Sequence, residues 1–302
     1  MTVTSAPNLK DLLRNAQLPA LPQSAIRLLE LSQNQDNGPP EFAQPIEADP
    51  GLTGQVLKFV NSSYFGFSRE INSVKLAITL VGIRTIKNFA LWSAVFSLMP
   101  NPKCGPFDLK SLWQDSLRRA LFSRAFGKLL GLKEAEDLFA AALLQDMAIP
   151  LLAKEQPQRY LKLLETRTIG ESRLSDLERA EFGWTHAEAA GFMARNWSLP
   201  EEFALLIESH TKLDEFLATG CKEPGKLSVS LSALLPANHD ENWLERDKFV
   251  SAFNQLAANR GRTPADMFGQ VDQEFGEFAP VLKLAVPAKS LVQHLEQVAV
   301  SA

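Results

Sequence analysis

The sequence predicts an all-α protein, and three observations carry that reading. Apolar residues recur at three- and four-residue spacing along most of the 302 residues. No stretch alternates convincingly at the two-residue period of a half-buried strand. Several segments also open on helix-start chemistry, with a capping side chain followed by proline or by an acid in the first turn.

The first element, "LPQSAIRLLELSQN", puts Pro22 at a first helical position, where its missing N–H costs nothing, with Ile26, Leu29 and Gln33 along one face. "DNGPPEF" (36–42) is a turn that restarts a helix. Asp49 then caps, and Pro50 opens, the helix of "ADPGLTGQVLKFVN". "NSSYFGFSREIN" (61–72) is a connector rich in turn formers. Ser73 begins a long helical stretch, 73–98, that Gly82 breaks in two. Three prolines and a glycine in "MPNPKCGPF" (99–107) mark the best internal boundary. A second helical block follows, and within it Thr185 and Glu188 fit a capping box. "TGCKEPGK" (219–226) is a loop, and about three more helices are expected beyond it, one opened by Thr263 and Pro264. The chain thus divides into an N-terminal bundle (1–106), a second bundle (107–220) and a helical C-terminal extension packed on them (221–302). Within 263–282, Asp266, Asp272, Glu274 and Glu277 stand without a Lys or Arg and are expected on a solvated face, while Phe268, Phe275 and Phe278 pack on the body.

The composition excludes several classes. An apolar fraction of 45% with 22% charged residues is that of a globular protein. The net charge is −4 and no long basic run occurs, so a nucleic-acid footprint is not expected. The two cysteines, Cys104 and Cys221, form no CxxC pattern, which argues against a disulfide framework or thiolate metal site. The N-terminus lacks the apolar core of a signal peptide, and the longest charge-free apolar stretch, 88–102, is too short to span a bilayer. The expected location is the cytoplasm, with no membrane partner.

The chemistry gathers around "LFAAALLQDMAIPLL" (138–152), an apolar stretch interrupted by Gln145 and Asp146. His186 shares a helical face with Ala190, Met193 and Trp197; His210 shares one with Phe203, Leu206 and Ile207; Asp115 shares one with Phe122, Phe126 and Leu129. Each ionisable group is therefore aimed at the packed side of its own helix, where an unpaired polar group costs roughly 1–3 kcal/mol. The simplest arrangement is one shared cluster of Asp115, Gln145, Asp146, His186 and His210. Two readings compete: a metal centre, since imidazole and carboxylate are ligands of hydrolytic metals, and a hydrogen-bonded polar core.

Six blocks then bear a family resemblance. "LPQSAIRLLEL", "IEADPGLTGQVLKFVNSSYFG", "INSVKLAITLVGIRTIKNFAL", "LWQDSLRRA", "LFAAALLQDMAI" and "HAEAAGFMARNWSLPEEFALLIESH" resemble, in order over about 18–212, the HDOD family, a catalytically degenerate relative of HD-type metal phosphohydrolases. The resemblance implies a multi-helix HDOD-type bundle with an HD-like sub-bundle at 107–220. It also implies a reading of the cluster. Asp115 falls where active HD enzymes carry a histidine, and Gln145 replaces the histidine of the His-Asp pair while Asp146 keeps the aspartate. "LSVSLSALL" (227–235) lacks the acid of a later ligand position. His186 and His210 match positions that hold a second metal in bimetallic relatives, and Thr211 stands where such relatives often carry a further histidine. With those ligands lost, the resemblance implies no catalytic cofactor or metal, and restoring histidine at 115 and 145 is expected to raise metal uptake.

The function implied is a non-catalytic bacterial signal-transduction module that binds signalling proteins or a small ligand. Tyr64, Phe65 and Phe67 of the connector are candidates for a surface that contacts a partner or orients the HD-like bundle. Two other classes are carried alongside: a residual metal-dependent phosphohydrolase acting on nucleotides, and a DNA-binding regulator built on the helix pair around Gly82 with Arg69, Lys75, Arg84 and Lys87.

Overall fold

The computed structural model describes residues 7–16, 18–34, 36–133, 135–168, 172–238, 240 and 242–297. Every regular element among them is an α-helix, in the order α1 (Leu9–Asn15), α2 (Gln23–Leu31), α3 (Pro39–Glu47), α4 (Pro50–Val60), α5 (Val74–Val81) and α6 (Ile83–Leu98) before the 99–107 boundary. The second block holds α7 (Leu109–Leu129), α8 (Glu136–Leu144), α9 (Ile149–Glu155), α10 (Pro157–Thr168), α11 (Leu174–Phe182), α12 (His186–Asn196), α13 (Glu201–Glu208) and α14 (Leu213–Ala218). Four helices follow it, one more than expected: α15 (Pro224–Ser232), α16 (Arg246–Leu256), α17 (Pro264–Phe278) and α18 (Leu291–Glu296). No helix among the described residues is long and apolar enough to cross a membrane.

Local chemistry sets most of the boundaries. Asp49 accepts from the Leu52 N–H at 3.0 Å and Pro50 opens α4. Gly82, at φ +92°, ends α5 and starts α6, a conformation glycine adopts without penalty. Thr185 with Glu188 and Thr263 with Asp266 close capping boxes on α12 and α17. Pro22 differs from expectation: it is the N-cap of α2, one residue before the first helical position. The buried face of that helix is Ala25, Leu28 and Leu31. Ile26 and Leu29 are only partly buried, and Gln33 lies beyond the helix end.

α7 is the long central element, packed by α8, α15 and α17. Phe122 and Phe126 of α7 meet Phe249 and Phe253 of α16 and Phe268 of α17, so the C-terminal extension shares the core. The acids of 263–282 are not a uniform solvated face. Glu274 pairs with Arg124 of α7 at 2.8 Å, and Asp272 caps the start of α18. The N-terminal bundle stacks Phe59 on Phe89 at 4.1 Å and meets Phe278 at 5.1 Å. Trp184 and Trp197 tie back to the carbonyls of Pro7 and Pro19, each at 2.9 Å.

Close helix packing gives a first expected result. A Cβ on Gly191 of α12 would lie 2.7 Å from Cβ of Glu208 on α13, atoms with little room to yield. Gly191→Ala should cost roughly 1–3 kcal/mol by urea denaturation. Gly54 in α4 has no such neighbour within 4 Å, and Gly54→Ala should stabilise by about 0.5–1 kcal/mol.

Candidate functional site

The apolar stretch 138–152 is two helices. α8 stops at Leu144, α9 starts at Ile149 with Pro150 in its first turn, and residues 145–148 turn between them. Pro150 has no N–H to continue the earlier helix, and it is tolerated in the first turn of the next one, where that N–H would have no partner. Asp146 therefore sits at a helix break, 4% exposed, with both carboxylate oxygens turned into the fold.

The two oxygens meet different partners. Oδ2 takes a hydrogen bond and ion pair from Nη1 of Arg119, on α7. Oδ1 lies 3.3 Å from Nε2 of His186 and 3.5 Å from Nε2 of His210, and the two Nε2 atoms are 3.1 Å apart. His186 is the first residue of α12. His210 lies past the end of α13, in a turn and not on the helical face expected for it. Both rings are held from behind. Nδ1 of His186 lies 2.6 Å from Oε2 of Glu178, and Nδ1 of His210 lies 2.6 Å from the Ile207 carbonyl. Glu178, fully buried, also accepts from the His186 N–H at 2.8 Å and from the Tyr160 hydroxyl. Acceptors at both Nδ1 atoms favour protonation there and turn each Nε2 lone pair toward Asp146.

Three acceptors thus point at one spot, which calls for a cation. Burial favours a neutral Asp146, but Arg119 and the adjoining His186 and His210 outweigh it and hold the carboxyl well below the usual carboxylate range. Burial also opposes charge on His186, yet Glu178 and Asp146 together push it up to about 9. Burial lowers His210. A proton on His186 Nε2, shared toward His210 and Asp146, satisfies the cluster.

The remaining expected residues divide. Gln145, fully buried, lies with Nε2 3.4 Å from Asp146 and accepts from the Ser232 hydroxyl at 3.5 Å, both long contacts. Asp115 stands on the same cavity wall, but its Oδ1 accepts from the Asn238 N–H at 2.8 Å and it is not among the converging ligand atoms. Burial is the main cause that pushes Asp115 up to about 7, against the pull of Arg119 and Arg118. Thr211 lines the cavity. Tyr64 contacts the second block, with the Arg124 guanidinium 5.2 Å from its ring, whereas Phe65 packs on Phe59 and Tyr64; only Phe67 of the three is exposed. The cavity, about 470 Å³, is lined by this cluster, by Leu112, Ile149 and Leu164, and by the ion pairs Arg167–Asp240 and Arg173–Glu245.

Because the folded Asp115 holds its proton up to about pH 7 and an unfolded aspartate only to about 3.8, the group favours the folded state at low pH and loses that contribution as pH rises through this interval. Asp115→Asn should therefore gain on the parent chain as pH increases, which thermal melts at about pH 5 and about pH 8 would show.

Two residues that matter here were missed in the sequence. Arg119 lies four residues after Asp115, hence on the same face of α7. Glu178 stands between Leu174 and Phe182 at four-residue spacing, a buried position with the composition of a surface helix.

Among the described residues the donor set fits one ion and not two. The ligand atoms of Asp146, His186 and His210 lie within 4.8 Å of one another, at edges of 3.1, 3.3 and 3.5 Å. Metal bonds to nitrogen and oxygen of about 2.0–2.2 Å span edges of this size. Around the other oxygen of Asp146 the described residues offer no such set: Arg119 occupies it, Gln145 offers a neutral amide, and Asp115 is engaged by Asn238.

The HDOD domain family model matches residues 18–213. An uncharacterized protein of Treponema pallidum (strain Nichols) is 23% identical over 197 residues, which is 65% of this chain and 38% of that protein, so the chain spans well under two thirds of its relative. Among solved structures, an HDOD domain protein with unknown function from Geobacter sulfurreducens superposes with a TM-score of 0.71 at 18% identity, covering 92% of this chain and 97% of that one. A protein of Marinobacter aquaeolei VT8, provisionally named a signal transduction protein, gives 0.65 at 20% identity, covering 92% and 63%. At such identities these structures speak for the fold alone.

Proposed function

The chain belongs to the HDOD domain family, and on that premise we propose that it is a signal-transduction module that acts by binding and not by turnover. The observation that carries this reading is the Arg119 guanidinium on Asp146. A hydrolase of the HD type needs that carboxylate to hold an ion that activates water and polarises a phosphoryl oxygen. A guanidinium supplies the charge but no exchangeable coordination position, and it stays protonated at every accessible pH. The cavity is of the size that takes a small ligand, and its lining includes charged residues that such a ligand could engage.

A second reading, a residual phosphohydrolase, is favoured by one observation, the converging ligand atoms of Asp146, His186 and His210. An ion held there would act as a Lewis acid, with Glu178 and the Ile207 carbonyl orienting the two imidazoles. Equilibrium titration of the chain with Zn²⁺ or Mn²⁺ tests the arrangement. Binding should saturate at no more than one ion per chain and be lost in His186→Ala; a second equivalent lost with Asp146→Ala would overturn the role given to Arg119.

A further inference from the structure

The last described helix, α18, is six residues long, too short to hold itself in water. It is held by ties at both ends. Asp272 of α17 accepts from the N–H groups of Leu291 at 2.9 Å and Val292 at 3.1 Å. Arg246 of α16 donates twice to the Leu295 carbonyl, at 3.0 and 2.8 Å, and Arg118 of α7 donates to the Lys289 carbonyl just before the helix. Between these ties, Leu291 and His294 turn inward, 0% and 2% exposed.

The contact beneath α18 is incompletely satisfied. Arg118 is 2% exposed, shows no carboxylate ion pair among the described residues, and leaves Nε and Nη1 without a hydrogen-bond partner. Nδ1 of His294 has none either. Among the described residues, the charged groups that act most on His294 are Arg118 from α7, Lys289 from the approach to α18, Asp240 from the segment before α16 and Asp272 from α17. Both carboxylates are already committed, Asp240 to Arg167 and Asp272 to the α18 backbone. Among the described residues, a second cation here would face Arg118 with no free acceptor, a costly position for a buried charge.

We propose that α18 is a detachable latch, docked on α7 and α17 while His294 is neutral and released when His294 takes a proton. Burial, then Arg118 and Lys289, lower His294 from its ordinary value of 6.5. Since the docked pKa lies below the free one, docking is undisturbed above about pH 6.5 and weakens as pH falls below it. The latch rests on none of the chemistry at Asp146, so its failure would leave the binding-module reading untouched. It shares α7 with that site: Gln114 donates to the Ala285 carbonyl and accepts from Asn238, whose N–H holds Asp115.

Hydrogen exchange on the full chain, corrected for the intrinsic pH dependence, is the test. Protection of amides in 291–297 should fall several-fold, up to about tenfold, between about pH 7.5 and about pH 5.5, while the centre of α7 stays protected. The fall should vanish in His294→Gln and in His294→Leu. Unchanged protection in the parent chain, or an equal fall in both variants, would overturn the proposal. Should neither variant fold, an imidazole titration of His294 by NMR in the parent decides it. A pKa clearly below that of a free histidine supports the latch, and one at or above it removes its cause.

Discussion

Glu178→Ala is expected to lower the stability of the chain by about 3–5 kcal/mol. Glu178 is fully buried and collects three donors: the Tyr160 hydroxyl, the His186 N–H and Nδ1 of His186. Truncation leaves all three facing a void. It also removes the nearer of the two carboxylates that sustain the charge on His186, so the imidazole should lose its proton at lower pH. Glu178→Gln keeps an acceptor oxygen and the packing volume, so it should cost less than the alanine variant. Chemical denaturation of both variants, with the His186 titration followed by NMR, separates the lost hydrogen bonds from the lost charge. Two variants that melt with the parent would show that the Tyr160–Glu178–His186 chain does not hold the centre together.

The second large effect is a gain. Restoring histidine at 115 and 145 was expected from the resemblance alone to raise metal uptake. The structure places Arg119 between that expectation and its outcome. With Arg119 on Asp146, the double variant Asp115→His and Gln145→His should take up no ion beyond the parent. Adding Arg119→Met frees one carboxylate oxygen and removes a repelling charge, and the triple variant should bind one further equivalent. The same change removes one partner of a buried pair, so without metal the triple variant should lose roughly 3–5 kcal/mol, part of it regained on adding Zn²⁺. Uptake by the double variant with Arg119 in place would contradict the exclusion.

These two residues also show where the sequence stops being readable. Helix starts were legible because their chemistry is local: Asp49, Thr185 with Glu188, and Thr263 each cap within three residues of themselves. Gly82 was legible because few other residues take its φ. The break at 145–148 was not, since the apolar run continues through it and only Pro150 announces it. Convergence of Asp146, His186 and His210 is a tertiary fact, as these residues come from a helix break, a helix start and a turn. Asp115 and Gln145 belong to the same cavity wall but have other partners. The pairing of Arg119 with Asp146, 27 residues apart, leaves no mark on local spacing. The acids after Thr263 misled for the same reason, because Asp272 and Glu274 find their partners on α18 and α7.

In the proposed reading a guanidinium has taken the position of a catalytic ion, leaving a site that binds and does not turn over. Its most direct test is hydrolysis by the chain saturated with Mn²⁺, Fe²⁺ or Zn²⁺, assayed against p-nitrophenyl phosphate, bis-p-nitrophenyl phosphate and a panel of nucleotides. Rates should equal those of the metal ion in protein-free buffer, with the parent and His186→Ala indistinguishable. Turnover by the parent that disappears in both His186→Ala and Asp146→Ala, each shown to be folded, would contradict the claim and establish the phosphohydrolase reading in its place.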